Sequence, residues 1–444
     1  MNTPIWDFVR SYATADPLRL HMPGHKGKGM LGAESLDITE IGGADSLFEA
    51  HGIIAESEQN ASALFGARTF YSTEGSSLAL RAMLHLACLF AKEQGRAPCI
   101  AAGRNAHKVF LSAAALLDFD HLWLTCEESD SYLTCTVTPE SLDADLSAHP
   151  EVTAVYLTSP DYLGNRLPLG KLAAVCHKHG CLCLVDNAHG AYLKFLSPSV
   201  HPMDLGVDMC CDSAHKTLPV LTGGAYLHIS PSAPAALSAW AKDALALFAS
   251  TSPSYLILQS LDLANKTVSE GYGESIRRFA LDAEEAAKDV RWFGYDLRDN
   301  EPLKWTIYTK SYGYYGTELA EQLEKRGIVC EFADPDTLVL MLTPSLGTEA
   351  LERIKDALKT MPERAPILQS PPKVIAHEQG MTVRQAMLSP SELLPISQCV
   401  GRILASPSVG CPPAVPLVVC GQRITEADLD AFRYYGIETC TVVK

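Results

Sequence analysis

The sequence lacks three features that mark large classes of protein: a long uninterrupted hydrophobic run, a CxxC pair and an excess of basic residues. Without a run of about 20 apolar residues, no membrane-spanning helix is predicted. The 36 Lys and Arg against 52 Asp and Glu give a net charge of -16, which repels phosphate backbones and anionic lipids. We therefore expect neither nucleic acid nor a membrane as a partner.

The number and spacing of the cysteines indicate the cellular compartment of the protein. The 14 cysteines form no CxxC pair, and no hydrophobic leader follows Met1. Such a pattern in a long chain favours reduced thiols over a secreted disulfide scaffold. We expect a cytoplasmic protein.

What is present indicates a large α/β protein. With 444 residues, of which 47% are hydrophobic, the chain can bury cores for two or three domains. From about Glu56 to about His228, segments of helical period alternate with short apolar runs, which is typical of βα units on a parallel sheet. The predicted strands are Cys99–Ala102, His121–Thr125, Val152–Thr158, Cys181–Asp186 and Val207–Asp212, and the predicted helices are Ser76–Ala91, His107–Leu117 and Leu169–His179.

A second, smaller αβ pattern follows two long helices predicted at Tyr255–Tyr272 and Glu274–Phe293. Its predicted strands are Trp305–Thr309, Ile328–Phe332 and Thr337–Leu342, and its predicted helices are Gly316–Arg326 and Thr348–Thr360. The Pro-rich stretch Met361–Lys373 is typical of a linker. A further helix is predicted to start at Thr382.

Three groups at predicted strand or helix ends carry the chemistry. Lys216 lies in the loop Ser-Ala-His-Lys after the strand that ends at Asp212, and suits a desolvated amine, although a solvated surface lysine is the plain alternative. Asp186 ends a buried strand, where a carboxylate needs a cation or a strong donor unless it only caps the following turn. Gly75, Ser76 and Ser77 begin a helix, which is either an anion site or an ordinary N-cap.

The three groups together match what pyridoxal 5'-phosphate (PLP) needs. A helix N-terminus binds the phosphate, a carboxylate keeps the pyridine nitrogen protonated, and a lysine holds the aldehyde as a Schiff base. Their order along an αβ chain makes PLP the predicted cofactor.

The sequence resembles the Orn/Lys/Arg decarboxylases of the fold-type I PLP enzymes, in the short bacterial form without an N-terminal wing domain. The resemblance rests on ordered segments along nearly the whole chain: LHMPGHKGKG from Leu20, ITEIGGADSLFEAHGII from Ile38, FGARTFYSTEGSS from Phe65, GRNAHK from Gly103, TSPDYLG from Thr158, VDNAHGA from Val185, SAHKTLPVLTGGAYLH from Ser213 and STSPSYLILQSLDLA from Ser250.

The resemblance implies a fold and a division of the chain. It implies a large domain like that of aspartate aminotransferase, with a mainly parallel sheet, and a smaller α+β C-terminal region. Residues 1–260 would form an N-terminal segment and the PLP-binding large domain, and residues 261–360 a helical connection and a small α/β domain. Residues 361–380 would form the Pro-rich linker and residues 381–444 a C-terminal decarboxylase domain.

It also implies a role for each site residue. Lys216 would carry the Schiff base, Asp186 would pair with the pyridine nitrogen, His107 would stack on the ring and His215 would assist proton transfer. The cofactor-binding set is Gly75, Ser76, Ser77, His107, Asp186, His189, Ser213, Lys216, Thr251 and Ser252, and no metal is expected. The loop of Thr251 and Ser252 would reach the phosphate of a neighbouring subunit, which implies a homodimer with shared active sites, or a higher oligomer.

The implied reaction is PLP-dependent decarboxylation of arginine, lysine or ornithine to a polyamine-pathway amine and CO₂, through a quinonoid intermediate. Another reaction of the same fold, such as transamination or decarboxylation of a non-basic amino acid, remains an alternative, as does a non-catalytic PLP binder. Two departures bear on this. Glu74 replaces an uncharged residue of the family's phosphate segment and is expected to point away from phosphate, and Gln422 replaces a family glutamate near the distal end of the substrate.

Other segments carry weaker signals. The tract from Cys176 to Cys183 holds cysteines and histidines, but its helix-to-strand turn does not favour the convergent geometry that zinc needs. The segment GHKGKG from Gly24 lacks the Lys-Ser/Thr ending of a Walker motif. His25 is a secondary candidate for the active site.

Overall fold

The computed structural model describes residues 1–127, 131–373, 377–406 and 414–444. Its helices are, in chain order, α1 Pro4–Ala15, α2 Ile53–Phe65, α3 Gly75–Glu93, α4 Lys108–Leu117, α5 Pro139–Ala148, α6 Leu169–Lys178, α7 Ala214–Thr217, α8 Ala235–Ala246, α9 Tyr255–Thr267, α10 Gly273–Trp292, α11 Gly316–Glu324, α12 Thr348–Lys359, α13 Val383–Met387 and α14 Glu426–Tyr434. Its strands are β1 Arg68–Ser72, β2 Cys99–Ala102, β3 Asp120–Trp123, β4 Ala154–Thr158, β5 Leu182–Asp186, β6 Met209–Asp212, β7 Ala225–Ile229, β8 Asp296–Leu297, β9 Lys304–Tyr308, β10 Phe332–Ala333, β11 Thr337–Met341, β12 Ser391–Pro395 and β13 Thr439–Val443.

The chain forms two compact units, and each is built from two stretches of sequence. The first unit comprises Met1–Arg96 and Leu169–Arg277, and the second comprises Ala97–Pro168 and Arg278–Lys444. The domain boundaries expected from the sequence divide the chain by the expected function of each part and not by how compactly it folds. These boundaries stay a prediction.

In the first unit, strands β1, β7, β6 and β5 lie side by side in that order. Strands β5 and β6 are parallel, with Asp186 opposite Cys211. Strand β7 is antiparallel to both of its neighbours, and Tyr226 lies opposite Asp212 on one side and Tyr71 on the other. The carboxyl ends of β1, β5 and β6 therefore meet at one edge of the sheet. This edge, called the site edge below, carries the candidate site.

Helix α3 connects the site edge to the core of the first unit. Its apolar residues are almost entirely buried, and it packs against β6, β7 and α8. Because β1 ends at Ser72, the turn into α3 places the start of the helix at the site edge.

In the second unit, parallel strands lie in the order β4, β2, β3, and α4 follows β2. A separate antiparallel sheet has the order β10, β11, β9, β8, with α11 packed on β11, and β12 pairs with β13. The chain is thus α/β, with a mainly parallel arrangement in the larger part and a smaller α+β region after it, as the sequence predicts.

Most predicted elements are confirmed within two residues. The helix predicted at Tyr255–Tyr272 is an α-helix only to Thr267 and continues as one π-helical turn to Tyr272. Two further expectations are wrong. The strand predicted at Ile328–Phe332 is reduced to Phe332–Ala333, which pair with Val339 and Leu338 of β11. The expectation of reduced thiols fails for Cys126 and Cys135, which form a disulfide. Within the described ranges, every helix is too short or too polar to span a membrane.

Candidate active site

Lys216 lies in the short helix α7, immediately beyond the end of β6. Its ε-amine is 3.0 Å from Nε2 of His189, which follows β5. The neighbouring His215 donates from Nδ1 to the carbonyl oxygen of Gly224 at 3.0 Å, and burial lowers the pKa of its imidazole. The lysine and two histidines therefore converge at the site edge.

Asp186 is the last residue of β5, and its side chain is buried with only 3% exposure. One carboxylate oxygen accepts a hydrogen bond from the backbone N–H of Ala188 at 3.1 Å. A buried carboxylate is costly unless a strong donor meets it. The site edge thus offers a carboxylate suited to a protonated ring nitrogen.

The start of α3 offers an anion-binding turn. Gly75 has φ of +72°, and a Cβ placed there would meet no atom within 4 Å. The N-cap, Glu74, makes no side-chain hydrogen bond to the first turn. Ser213, which follows β6, donates to the hydroxyl of Ser76 at 2.7 Å. The positive helix end, with its backbone N–H groups and the Ser76 and Ser213 hydroxyls, therefore lies beside an open space, and Ser77 is the next residue of this first turn.

Glu74 points to the loop that holds Thr251 and Ser252. Its carboxylate accepts a hydrogen bond from the backbone N–H of Ser250 at 2.7 Å, and the N–H of Ser252 bonds to the Ser250 hydroxyl. The glutamate in the phosphate segment is therefore engaged with a backbone donor of its own chain.

His107 belongs to the second unit, where it is the N-cap of α4. Its Nδ1 accepts a hydrogen bond from the backbone N–H of Val109 at 3.2 Å, which fixes one edge of the imidazole. In the same unit, Gln422 is buried and its side-chain oxygen accepts from the N–H of Val419 at 2.8 Å. The Gln422 side chain is thus folded back into its own turn. In the segment CPPAVPLVVCGQ, which starts at Cys411 and ends at Gln422, residues 411–413 lie outside the described residues.

The histidines with weaker signals have ordinary partners. His25 lies 3.1 Å from Asp37, and His177 lies 2.9 Å from Asp208. Within the described ranges, a different set of residues, His201, Cys210 and Asp212, brings three metal-ligand types together. The sequence pattern assigns no role to Asp212, which directly precedes Ser213.

The polar groups present in the first unit fit PLP. An amine (Lys216), a buried carboxylate (Asp186) and an open, hydroxyl-lined helix start (Gly75 to Ser77) are the groups that the aldehyde, the pyridine nitrogen and the phosphate require. All of them lie at the site edge. His189, beside the lysine, adds a polar group suited to a ring substituent.

Comparison with protein families and curated proteins gives a consistent match. The family described as "Orn/Lys/Arg decarboxylase, major domain" matches residues 3–300. An arginine decarboxylase of Halalkalibacterium halodurans is 29% identical, over 97% of this chain and 93% of that protein. An arginine decarboxylase of Bacillus subtilis is 26% identical, over 96% of this chain and 92% of that protein.

Among solved structures, the chain is similar in fold to lysine decarboxylase A from Pseudomonas aeruginosa. The TM-score is 0.81 at 18% identity, and the match covers 99% of this chain and 80% of that one. The constitutive lysine decarboxylase of E. coli gives a TM-score of 0.76 at 18% identity, over 100% of this chain and 82% of that one.

Proposed function

Because the chain belongs to the Orn/Lys/Arg decarboxylase family, we propose that it is a PLP-dependent decarboxylase whose substrate is arginine. The family establishes decarboxylation of a basic amino acid as the reaction. The choice of arginine over lysine or ornithine is supported by relatives named arginine decarboxylase, which match over nearly their full length.

The observation that carries the proposal is the convergence of Lys216, Asp186 and the open start of α3 at one edge of the sheet. When bound, PLP supplies an electron-accepting ring that stabilises the charge left as the carboxylate departs. Asp186 would hold the proton on the ring nitrogen, and Lys216 would bind the aldehyde carbon. The first turn of α3, with Ser76, Ser77 and Ser213, would hold the phosphate.

His189 and His215 would hold or transfer protons near Lys216. His189 faces the ε-amine of Lys216 and orients it. His215 commits Nδ1 to Gly224, which leaves Nε2 to take up a proton and return it at Cα. The ring-stacking role of His107 rests on the resemblance and stays a prediction.

We further propose that the enzyme is a cytoplasmic homodimer that makes a polyamine-pathway amine. The cysteines other than Cys126 and Cys135 within the described ranges are free, and all of these except Cys330 are buried, which fits a reducing compartment. Thr251 and Ser252 are the residues expected to reach the phosphate of the partner subunit.

A direct test measures CO₂ release from arginine, lysine and ornithine by the purified protein with PLP, together with any keto acid formed. We expect CO₂ from arginine first, with loss of turnover in Lys216→Ala and full turnover in the control Lys171→Ala, which changes an exposed lysine. Keto acid without CO₂ would contradict the decarboxylase. CO₂ from lysine or ornithine but not from arginine would contradict the choice of arginine, and CO₂ from none of the three would contradict the substrate class.

A further inference from the structure

We propose that Asp212 is a positioning residue, which holds the loop after β5 and the loop after β6 in the register that the cofactor requires. The first of these loops follows Asp186, and the second carries Ser213 and Lys216. The inference rests on the proposed function, because it concerns the binding of PLP.

Asp212 is fully buried and binds three N–H groups from three parts of the first unit. Its Oδ1 accepts from the side-chain amide of Asn187 at 2.6 Å. Its Oδ2 accepts from Nε2 of His201 at 2.9 Å and from Nε2 of His228 at 3.2 Å. Both imidazoles are also fully buried. One carboxylate therefore joins the β5 loop, the segment before β6 and strand β7.

The bond to Asn187 links the two functional loops directly. Asn187 follows Asp186 in the chain, and Asp212 precedes Ser213. The backbone N–H of Asn187 also donates to the carbonyl oxygen of Cys211 at 3.0 Å. Loss of the Asn187 side-chain bond would thus allow Asp186 and the loop after it to shift relative to Ser213 and the start of α3.

The opposite ends of the two imidazoles also have polar neighbours. Nδ1 of His201 accepts from the backbone N–H of Met203 at 3.3 Å, so in the neutral ring Nε2 carries the hydrogen that Asp212 receives. Nδ1 of His228 lies 2.9 Å from the Thr69 hydroxyl. Burial raises the pKa of the Asp212 carboxyl, but the two histidines outweigh it and hold that pKa well below its usual range.

These hydrogen bonds favour a role for Asp212 as the acceptor at the centre of a hydrogen-bond network over a role as a metal ligand. His201, Cys210 and Asp212 bring ligand atoms within 4.8 Å of one another. A metal on Nε2 of His201 would require the hydrogen to move to Nδ1, where it would face the N–H of Met203. Burial raises the pKa of the Cys210 thiol well above its usual range, which disfavours the thiolate that a metal binds.

The test compares PLP affinity in two single variants, their double variant and one control, all in the full chain. Asn187→Ala removes the link between the loops and leaves the two histidine bonds in place. Asp212→Asn removes the negative charge and replaces one of the two accepting oxygens by an NH₂ group, which cannot accept from the donors that it faces. The matched control is Asp208→Asn, which alters another buried aspartate that is bonded to a histidine, His177. Asp208 lies just before β6, at the edge of the sheet opposite the site edge. Apo-protein is titrated with PLP by absorbance, and circular dichroism confirms folding.

We expect Asn187→Ala and Asp212→Asn each to raise the PLP Kd about tenfold, the scale of one hydrogen bond to a charged group, and the double variant to raise it no further. Asp208→Asn should leave the Kd unchanged. Should Asp212→Asn not fold, Asn187→Ala decides alone.

Three results would overturn the inference: an unchanged Kd in Asn187→Ala, an equal rise in Asp208→Asn, or one zinc per chain in the wild-type protein. A wild-type protein that binds no PLP overturns the proposed function and this inference together. A wild type that binds PLP, with an unaffected Asn187→Ala variant, overturns this inference alone.

Discussion

The ε-amine of Lys216 lies 3.0 Å from Nε2 of His189, although 27 residues separate them in the chain. The contact joins the loop after β6 to the loop after β5, and parallel pairing of these strands brings the loops together. A lysine amine beside a polar group at a strand edge is the arrangement expected of a residue that forms a Schiff base.

Borohydride reduction of the PLP-loaded protein should attach the cofactor covalently to Lys216. The reason is that the lysine presents its amine beside His189, at the sheet edge where β5 ends with Asp186. Peptide mass spectrometry identifies the modified residue, and Lys216→Ala serves as the control without an attachment point. A cofactor fixed to any other lysine would contradict the assignment.

Replacement of Asp186 by alanine should leave the fold intact and reduce turnover by about a hundredfold or more, because the ring nitrogen loses the group that holds its proton. Circular dichroism and steady-state kinetics with saturating PLP provide the two measurements. Asp208→Asn, remote from the site edge, controls for loss of a buried carboxylate. Turnover near the wild-type level in Asp186→Ala would reject the role.

Removal of the Ser76 hydroxyl should weaken binding of PLP about tenfold and leave binding of pyridoxal unchanged. Ser76 and Ser213 share a hydrogen bond at the start of α3, where we place the phosphate, and pyridoxal carries none. Titration of Ser76→Ala apo-protein with both compounds measures the difference. An equal loss for both compounds would show that the serine does not act through phosphate.

Arg104→Ala should lower the free energy of unfolding by about 3 kcal/mol, the value of two hydrogen bonds from a half-buried charged group. Its guanidinium donates to the carbonyl oxygens of Pro416 and Leu417 at 2.8 and 2.7 Å, and burial lowers its pKa to about 10. Urea unfolding gives the measurement. Arg353→Ala is the matched control, since Arg353 also bonds two carbonyl oxygens but is exposed, and it should cost under about 1 kcal/mol.

Deprotonation of the Asp262 carboxyl should make the protein less stable as the pH rises. Burial raises the pKa of its carboxyl from 3.8 to about 6, although it accepts bonds from Ser57 and from the backbone of Ile5 and Trp6. The folded state therefore holds this proton more tightly than the unfolded state. Its contribution is full below pH 4 and is lost as the pH passes 6, by up to about 3 kcal/mol.

Asp262→Asn should abolish that part of the pH dependence, which urea unfolding between pH 4 and pH 7.5 measures. The exposed Asp16→Asn provides the control, because asparagine tolerates the left-handed backbone that Asp16 adopts. An equal pH slope in Asp262→Asn and the wild type would contradict the assignment.

Local sequence pattern predicted most elements because it depends on short-range periodicity. Strand β2 begins and ends at the predicted residues, and β5 and β6 end at Asp186 and Asp212 as predicted. Strand β10 was misplaced, because the extent of a short strand depends on where its partner pairs with it.

The sequence by itself determined the α/β class, the family and the positions of Lys216, Asp186 and Gly75 at the ends of elements, since these depend on spacing along the chain. Tertiary structure alone decided what meets across strands: His189 beside Lys216, the His201 and His228 imidazoles on Asp212, and the disulfide between Cys126 and Cys135. The physical reason is that lateral strand order and side-chain direction come from packing of distant segments, which no local period records.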